Sequence, residues 1–385
     1  MKEGWSYKKL GEVCEVISGQ SPEGKFYNTE GQGTPFYQGK KEFSSKYIGN
    51  PTTWTTVETK IAEKDDLLMS VRAPVGDINF ATQKLCIGRG LAAIRTKEDI
   101  DKEYLFYFLV AKKSCIKGKE GVGFASINRK EIMDIDVQYP KDFSEQRSIV
   151  TRLDAAFSHI DALKANAEKQ LNEARKLFQT ELTECMKPKE GWEEKTLGEL
   201  ATDMYRGSGI KREQVTKEGT PCVRYGEIYT TYNVAFDKCV SHTCEEMIPS
   251  PKYFEHGDLL FAITGESVED IGKTIAYLGQ DKCLLGGDII CMKHKQNAKY
   301  LSYALSTPDA IRQKGIGKTK LKVVHTNASA LKAINVPIPP LDTQQAIVSH
   351  LDSLSSNIRK LEELQQKTFA ECDALKQALL REVFE

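Results

Sequence analysis

Two long stretches of the chain place apolar residues at steps of three and four, the second with one longer step between Leu361 and Phe369. The first runs through Ile149, Leu153, Ala156, Ile160, Leu163, Ala167, Leu171, Ala174, Phe178, Leu182 and Cys185. The second runs through Ile347, Leu351, Leu354, Ile358, Leu361, Phe369, Cys372, Leu375, Leu379 and Val383. Intervening positions are rich in Glu, Lys, Arg and Gln, and neither proline nor glycine interrupts either stretch. This spacing predicts two amphipathic helices with a coiled-coil seam. A helix of about 40 residues spans roughly 60 Å, wider than a small domain, so a partner helix covers the stripe better than a globular core. The stretches are similar in length, and the simplest closure pairs them antiparallel, with one globular domain near each end.

The regions before the helices have a different texture. Short apolar or alternating runs, such as 66–71 and 259–263, read as strands, and Gly, Pro, Ser and Thr clusters separate them as loops. Shorter helices are predicted over 102–113 and 299–314. The chain also repeats itself in order. Gly4-Trp5, Lys8 and Leu10-Gly11-Glu12 return as Gly191-Trp192, Lys195 and Leu197-Gly198-Glu199. Gly33-Thr34-Pro35 is echoed by Gly219-Thr220-Pro221, Asp66-Leu67-Leu68 by Asp258-Leu259-Leu260, and Tyr104-Leu105 by Tyr300-Leu301. Apolar strands ending in proline follow at 135–140 and 334–340. Gln146, Ile149-Val150 and Leu153-Asp154 then match Gln344, Ile347-Val348 and Leu351-Asp352. A period of roughly 190 residues is too long for a solenoid and describes two domain-sized units. The prediction is an α+β chain: two homologous mixed α/β domains, 1–142 and 189–340, joined by two long helices, 143–188 and 341–385, that form an antiparallel coiled coil.

Composition narrows the function classes. The 385 residues carry 54 basic and 54 acidic side chains, so any polyanion footprint has to come from local clustering. No signal-like apolar segment opens the chain and no run is long enough for a membrane span, which predicts a cytoplasmic protein. The ten cysteines form no Cys-x-x-Cys and read as reduced thiols. Cys239, His242 and Cys244 could supply three zinc ligands, but no second pair follows at finger-like spacing, so no metal site is assigned. Gly272-Lys273-Thr274 and Gly317-Lys318-Thr319 lack the leading glycine of a phosphate loop. Neither a dinucleotide fingerprint nor the Asn-Pro-Pro-Tyr/Phe motif of an amino-methyltransferase is present, and no catalytic residue is assigned. The duplicated positions, mostly Gly, Trp, Leu, Pro and Gln, suggest shared architecture more than shared catalysis.

Binding chemistry is present in equivalent places of the two units. Lys112, Lys113, Lys117 and Lys119 follow the first short helix; Arg312, Lys314, Lys318, Lys320 and Lys322 follow the second. One such run is an ordinary solvated loop, whereas two in register point to phosphate contacts. A second surface follows each Gly-Thr-Pro. Tyr37, Gln38, Lys40 and Lys41 stand in the first unit; Arg224, Tyr225, Glu227 and Tyr229 stand in the second. Arg reads guanine, Gln reads adenine and Glu accepts from cytosine, so the differing residues suit readers of two different sequences. Gln20 and Ser21, Lys211 and Arg212, and Arg72 and Arg89 beside Gly- or Pro-containing turns complete the candidates.

The openings Gly4-Trp5 to Leu10-Gly11-Glu12 and Gly191-Trp192 to Leu197-Gly198-Glu199 resemble type I restriction-modification specificity subunits. So do the proline-ended strand before Gln-x-x-Ile-Val-x-x-Leu-Asp, and the run Ile87-Gly88-Arg89-Gly90-Leu91-Ala92-Ala93-Ile94-Arg95. Gln344-Gln345 fits the family pattern better than Gln146-Arg147 does. The resemblance implies two target-recognition domains, each reading half of a bipartite site in double-stranded DNA, with the helices as a spacer. It implies two methylation subunits as partners, using S-adenosylmethionine on adenine, and a system in which two ATP- and magnesium-dependent motor-nuclease subunits can join. It implies no cofactor and no activity in this chain itself. The competing classes are a self-contained DNA methyltransferase or nuclease, revealed by adenosylmethionine binding or cleavage by the chain alone, and a coiled-coil scaffold without DNA, revealed by absent sequence-dependent binding.

Overall fold

The computed structural model describes residues 3–116, 125–268, 270–316 and 324–385. The chain divides into two compact units, 1–167 with 366–385, and 168–365. Each unit therefore holds one mixed α/β region and part of both long helices, Phe143–Cys185 and Leu341–Phe384.

In the first unit, an antiparallel sheet has the order Cys14–Ser18, Leu91–Thr96, Leu67–Ser70, Ile78–Phe80. A second, mixed sheet has the order Tyr27–Asn28, Trp54–Thr55, Thr34–Tyr37, Leu85–Ile87, Ile61–Ala62. The second unit repeats both. Its first sheet is Asp203–Arg206, Ile289–Lys293, Leu259–Ala262, Thr274–Tyr277, with Ala235–Phe236 added at the edge. Its second is Val215–Thr216, Ser241–Thr243, Thr220–Val223, Cys283–Leu285, Tyr253–Phe254. The central strands are buried along their length, which is why they read as apolar runs instead of alternating ones. Gly33 and Gly219 have φ of +88° and +123°, and a Cβ there would lie 2.2 Å from the Thr55 carbonyl oxygen and 2.8 Å from that of Thr243. The Gly-Thr-Pro echo is thus a backbone requirement of the second sheet.

The other duplicated residues join these sheets to the helices. Trp5–Lys9 pairs antiparallel with Asp136–Pro140, and Glu193–Thr196 with Asn335–Ile338. Fully buried Gln146 accepts from the Asp101 amide at 2.7 Å and donates to the Pro140 carbonyl at 2.8 Å. Gln344 does the same with the Asn297 amide at 3.0 Å and the Pro339 carbonyl at 2.8 Å. Asp101 and Asn297 cap the following short helices, Lys102–Ala111 and Ala298–Ala304. Asp154 accepts from the Tyr107 hydroxyl and Asp352 from the Tyr303 hydroxyl, so each short helix is held to a long one.

Two expectations need correction. The helix predicted over 299–314 is two helices, because Thr307 caps a new start with Pro308 at its first position. The helical seam is also narrower than the stripe: Leu163 and Leu375 are exposed, whereas Ile160, Leu171, Leu182 and Cys372 are buried. Ion pairs fix the antiparallel register. Asp161 and Lys164 meet Lys376 and Asp373 in the first unit, and Arg175 meets Glu362 in the second.

Candidate nucleic-acid interface

In both units the same three loops meet at one end of the sheets. In the first unit the Gly19 amide donates to the Leu91 carbonyl, Gln20 to Ile87 and Gly88 to Tyr37, at 3.0, 2.9 and 2.8 Å. In the second, Gly207 donates to Ile289, Ser208 to Leu285 and Gly286 to Val223, at 3.0, 2.9 and 2.9 Å. This register equates Gln20 with Ser208, Gln38 with Arg224, and Arg89 with Gly287. Glycine is needed because the loops nearly touch: a Cβ on Gly19 or Gly207 would come within 2.2 Å of the Gly88 or Gly286 carbonyl oxygen.

The ledge so formed carries different side chains in each unit. In the first, the Ser21 hydroxyl donates to Gln38 Oε1 at 2.9 Å and accepts from the Arg89 amide at 3.3 Å. Gln20, Gln38 and Arg89 are exposed. Arg72 is also exposed, and the neighbouring Val71 amide bonds the Gly90 carbonyl, which places Arg72 beside the same loop. The structure thus brings Gln20, Ser21, Gln38, Arg72 and Arg89 together. Tyr37 is a correction: it is 1% exposed, its hydroxyl donates to the Gly49 carbonyl, and burial pushes its pKa up to about 12. It packs in the core and offers nothing to a ligand. Lys40 is half-buried and paired with Asp77, which also binds Lys113. Burial raises the Asp77 pKa, but the bonds from Lys113 and Lys40 outweigh it and hold the carboxyl below its ordinary range.

The second unit opens a cleft of about 1030 Å³ at the corresponding place. Arg206, Arg212, Arg224, Tyr225, Gly286, Gly287 and Asp288 are among its lining residues. Glu227 is a second correction. It is 7% exposed, accepts from the Arg224 amide and Nε at 3.1 and 3.3 Å, and accepts from the Ser241 hydroxyl at 2.7 Å. It holds Arg224 and is not free to reach a base. Tyr229 is half-buried in an adjoining groove with Tyr225 and Asp270, and its hydroxyl donates to the Asp270 carbonyl. Lys211 is exposed but does not line the cleft, whereas its neighbour Arg212 does.

Arg206 and Asp288 escaped the sequence reading. Arg206 donates to the Gly287 carbonyl at 2.5 Å and to Asp288 at 2.6 Å. The available signal was Gly286-Gly287, which occupies the place of Gly88-Arg89 in the repeat. Lys117, Lys119, Lys318, Lys320 and Lys322 lie outside the described residues. Lys314 departs from expectation: its amine is buried, donates to the Leu305 carbonyl at 2.8 Å and Thr274 Oγ1 at 3.1 Å, and burial lowers its pKa to about 7. Of the described residues, Cys239, His242 and Cys244 do not converge on a metal-ligand geometry, and no described helix is long and apolar enough to cross a membrane.

Comparison with known proteins adds an independent line. Residues 2–173 and 189–368 each match the type I restriction modification DNA specificity domain. A putative type I restriction enzyme MjaX specificity subunit from Methanocaldococcus jannaschii is 41% identical over 182 residues, 45% of this chain and 41% of the relative. The MjaVIII specificity subunit of the same organism is 24% identical over 388 residues, 92% of this chain and 87% of that one. The chain spans about two fifths of the first two relatives it matches, 41% and 40% of their lengths. Among solved structures, a chain from a study of type I R-M complex assembly and conformational transition superposes with a TM-score of 0.77 at 19% identity, covering 100% of this chain and 98% of that one. The HsdS subunit from Thermoanaerobacter tengcongensis gives 0.58 at 19% identity, covering 100% and 97%.

Proposed function

Because this chain belongs to the family of type I restriction modification DNA specificity domains and carries two of them, we propose that it is a non-catalytic DNA-recognition subunit whose two domains each read one half of a split target. The observation that carries the reading is the pair of ledges: one hydrogen-bond register, built twice, with Gln20 and Gln38 on one and Arg206 and Arg224 on the other. Shared backbone with divergent polar tips is what two readers of different sequences require. Residues 1–142 and 189–340 are the reading modules, and 143–188 and 341–385 the helical segments between and after them.

In the second module, Glu227 engages the Nε side of Arg224, which leaves the terminal amino groups of the guanidinium for a bidentate contact with guanine N7 and O6. In the first, Gln38 is the adenine reader, braced by Ser21. Arg72, Arg89, Arg212 and the lysines at 117, 119, 318, 320 and 322 serve phosphates. The partners are duplex DNA, two adenine-methylating subunits using S-adenosylmethionine, and ATP-dependent motor-nuclease subunits where the system restricts, all in the cytoplasm. The matched relatives do not favour a self-contained methyltransferase, a nuclease or a scaffold without DNA.

Mapping methylated adenines in a host carrying the complete system tests this. Two short fixed blocks separated by unread positions are expected; a single continuous motif would overturn the two-reader assignment.

A further inference from the structure

The structure assigns a second kind of chemistry to the helices of the second unit: Glu181, Cys185 and His350 form a binding site for one divalent transition-metal ion, zinc by the nature of the donors. Glu181 and Cys185 stand four residues apart and so share a face of the first long helix. His350 faces them from the second long helix. The three candidate ligand atoms all lie within 4.8 Å of one another.

The separations suit a tetrahedral ion. His350 Nε2 is 3.0 Å from Glu181 Oε1, and Cys185 Sγ is 3.7 Å from the same oxygen. Zinc bonds of about 2.0 Å to nitrogen and oxygen and 2.3 Å to sulfur would place these pairs about 3.3 and 3.5 Å apart. Both pairs lie within a few tenths of an ångström of those values; the third, between the Cys185 and His350 ligand atoms, lies within 4.8 Å, and rotamer adjustment of the exposed His350 would bring it to the roughly 3.5 Å of a tetrahedral site. The donor set is one thiolate, one imidazole and one carboxylate. Magnesium and calcium take oxygen donors, so sulfur and imidazole select a softer ion. Glu181 and Cys185 are half-buried and His350 is exposed, so a fourth position remains for water and the ion can enter from solvent. Burial, and next the Glu181 carboxylate, hold the Cys185 thiol above its ordinary pKa. A cation there would displace the thiol proton and neutralise the carboxylate.

The duplication supplies a control. The register that equates Gln146 with Gln344 places Arg152, Leu379 and Val383 at the corresponding positions of the first unit. There Leu379 and Val383 pack against the apolar core. The fold therefore closes this helix end without the trio, which makes the three donors a property of the second unit and not of the architecture.

Cobalt(II) titration of the purified full-length chain is the test, because a thiolate ligand gives a near-ultraviolet charge-transfer band. The expected band saturates at one equivalent, is displaced by zinc, and vanishes in both Cys185→Ser and His350→Ala. Zinc should raise the melting temperature of the parent chain and leave that of His350→Ala unchanged, while circular dichroism checks that both variants fold. Absence of a band, or one that survives in either variant through the other cysteines, overturns the assignment.

Discussion

The two units differ least where they are buried and most where they are exposed. Gln146 and Gln344 make the same pair of bonds, and the amides of Gly88 and Gly286 reach equivalent carbonyls. On that shared frame, Gln38 gives way to Arg224. A buried polar group has one way to be satisfied and so is fixed by the fold. A side chain at a loop tip answers to whatever it meets outside. The contrast separates the residues that build a reader from those that set what it reads.

Breaking the shared frame should have the largest effect. Gln344→Ala leaves the half-buried Asn297 amide and the buried Pro339 carbonyl without their partner and should cost the second unit about 2–4 kcal/mol. Gln146→Ala should damage the first unit alone. Denaturant melts followed by hydrogen exchange in each unit would show it, and equal damage in both units would mean that the frame is not modular.

Lys314 sharpens the contrast by pH. Its folded pKa, about 7, lies below that of the unfolded chain, so the unfolded state binds the extra proton between about pH 7 and 10. Stability of the second unit should rise with pH across that window and fall as pH drops through 7. The rise should be absent in Lys314→Met; an unchanged slope would place the titrating group elsewhere.

Changing the tips should alter reading without unfolding. Arg224→Ala should cost about 1–3 kcal/mol of discrimination at the second half-site and leave the first intact, with Gln38→Ala doing the reverse. Binding to duplexes scrambled in one half-site at a time, with the methylation subunits present, measures both. Loss of specificity at the wrong half-site would break the assignment of tips to units. Glu227→Gln should weaken the second half-site in the same direction as Arg224→Ala but less, because it loosens Arg224 without removing it.

The smallest effect is expected at the phosphate contacts. Arg212→Ala should weaken binding evenly across sequences and reduce the log–log salt slope by about 0.9. A sequence-dependent loss would instead make Arg212 a base reader.

Much of the fold was legible because its signals are local. Steps of three and four marked both long helices, and an ordered repeat marked two domains. Pro308 shows how a local signal is overlooked: it ends one helix and starts another within 299–314. The candidate interface was legible as an area and less so as residues. Tyr37 and Glu227 sit in polar, turn-rich text, yet both are buried, and Arg206 ends a strand just before Gly207-Ser208-Gly209, a Gly-containing turn like those beside Arg72 and Arg89 that went unread.

The sequence by itself determined the duplication, the helical stripes and the absence of familiar catalytic motifs, since each is written in residue order. Only the tertiary structure decided which polar side chains face outward. That depends on hydrogen bonds between residues far apart in the chain, such as Glu227 to Ser241 or Lys314 to Thr274, and on glycines that let separate loops touch. Burial is a property of the assembled sheets, and no window of sequence contains it.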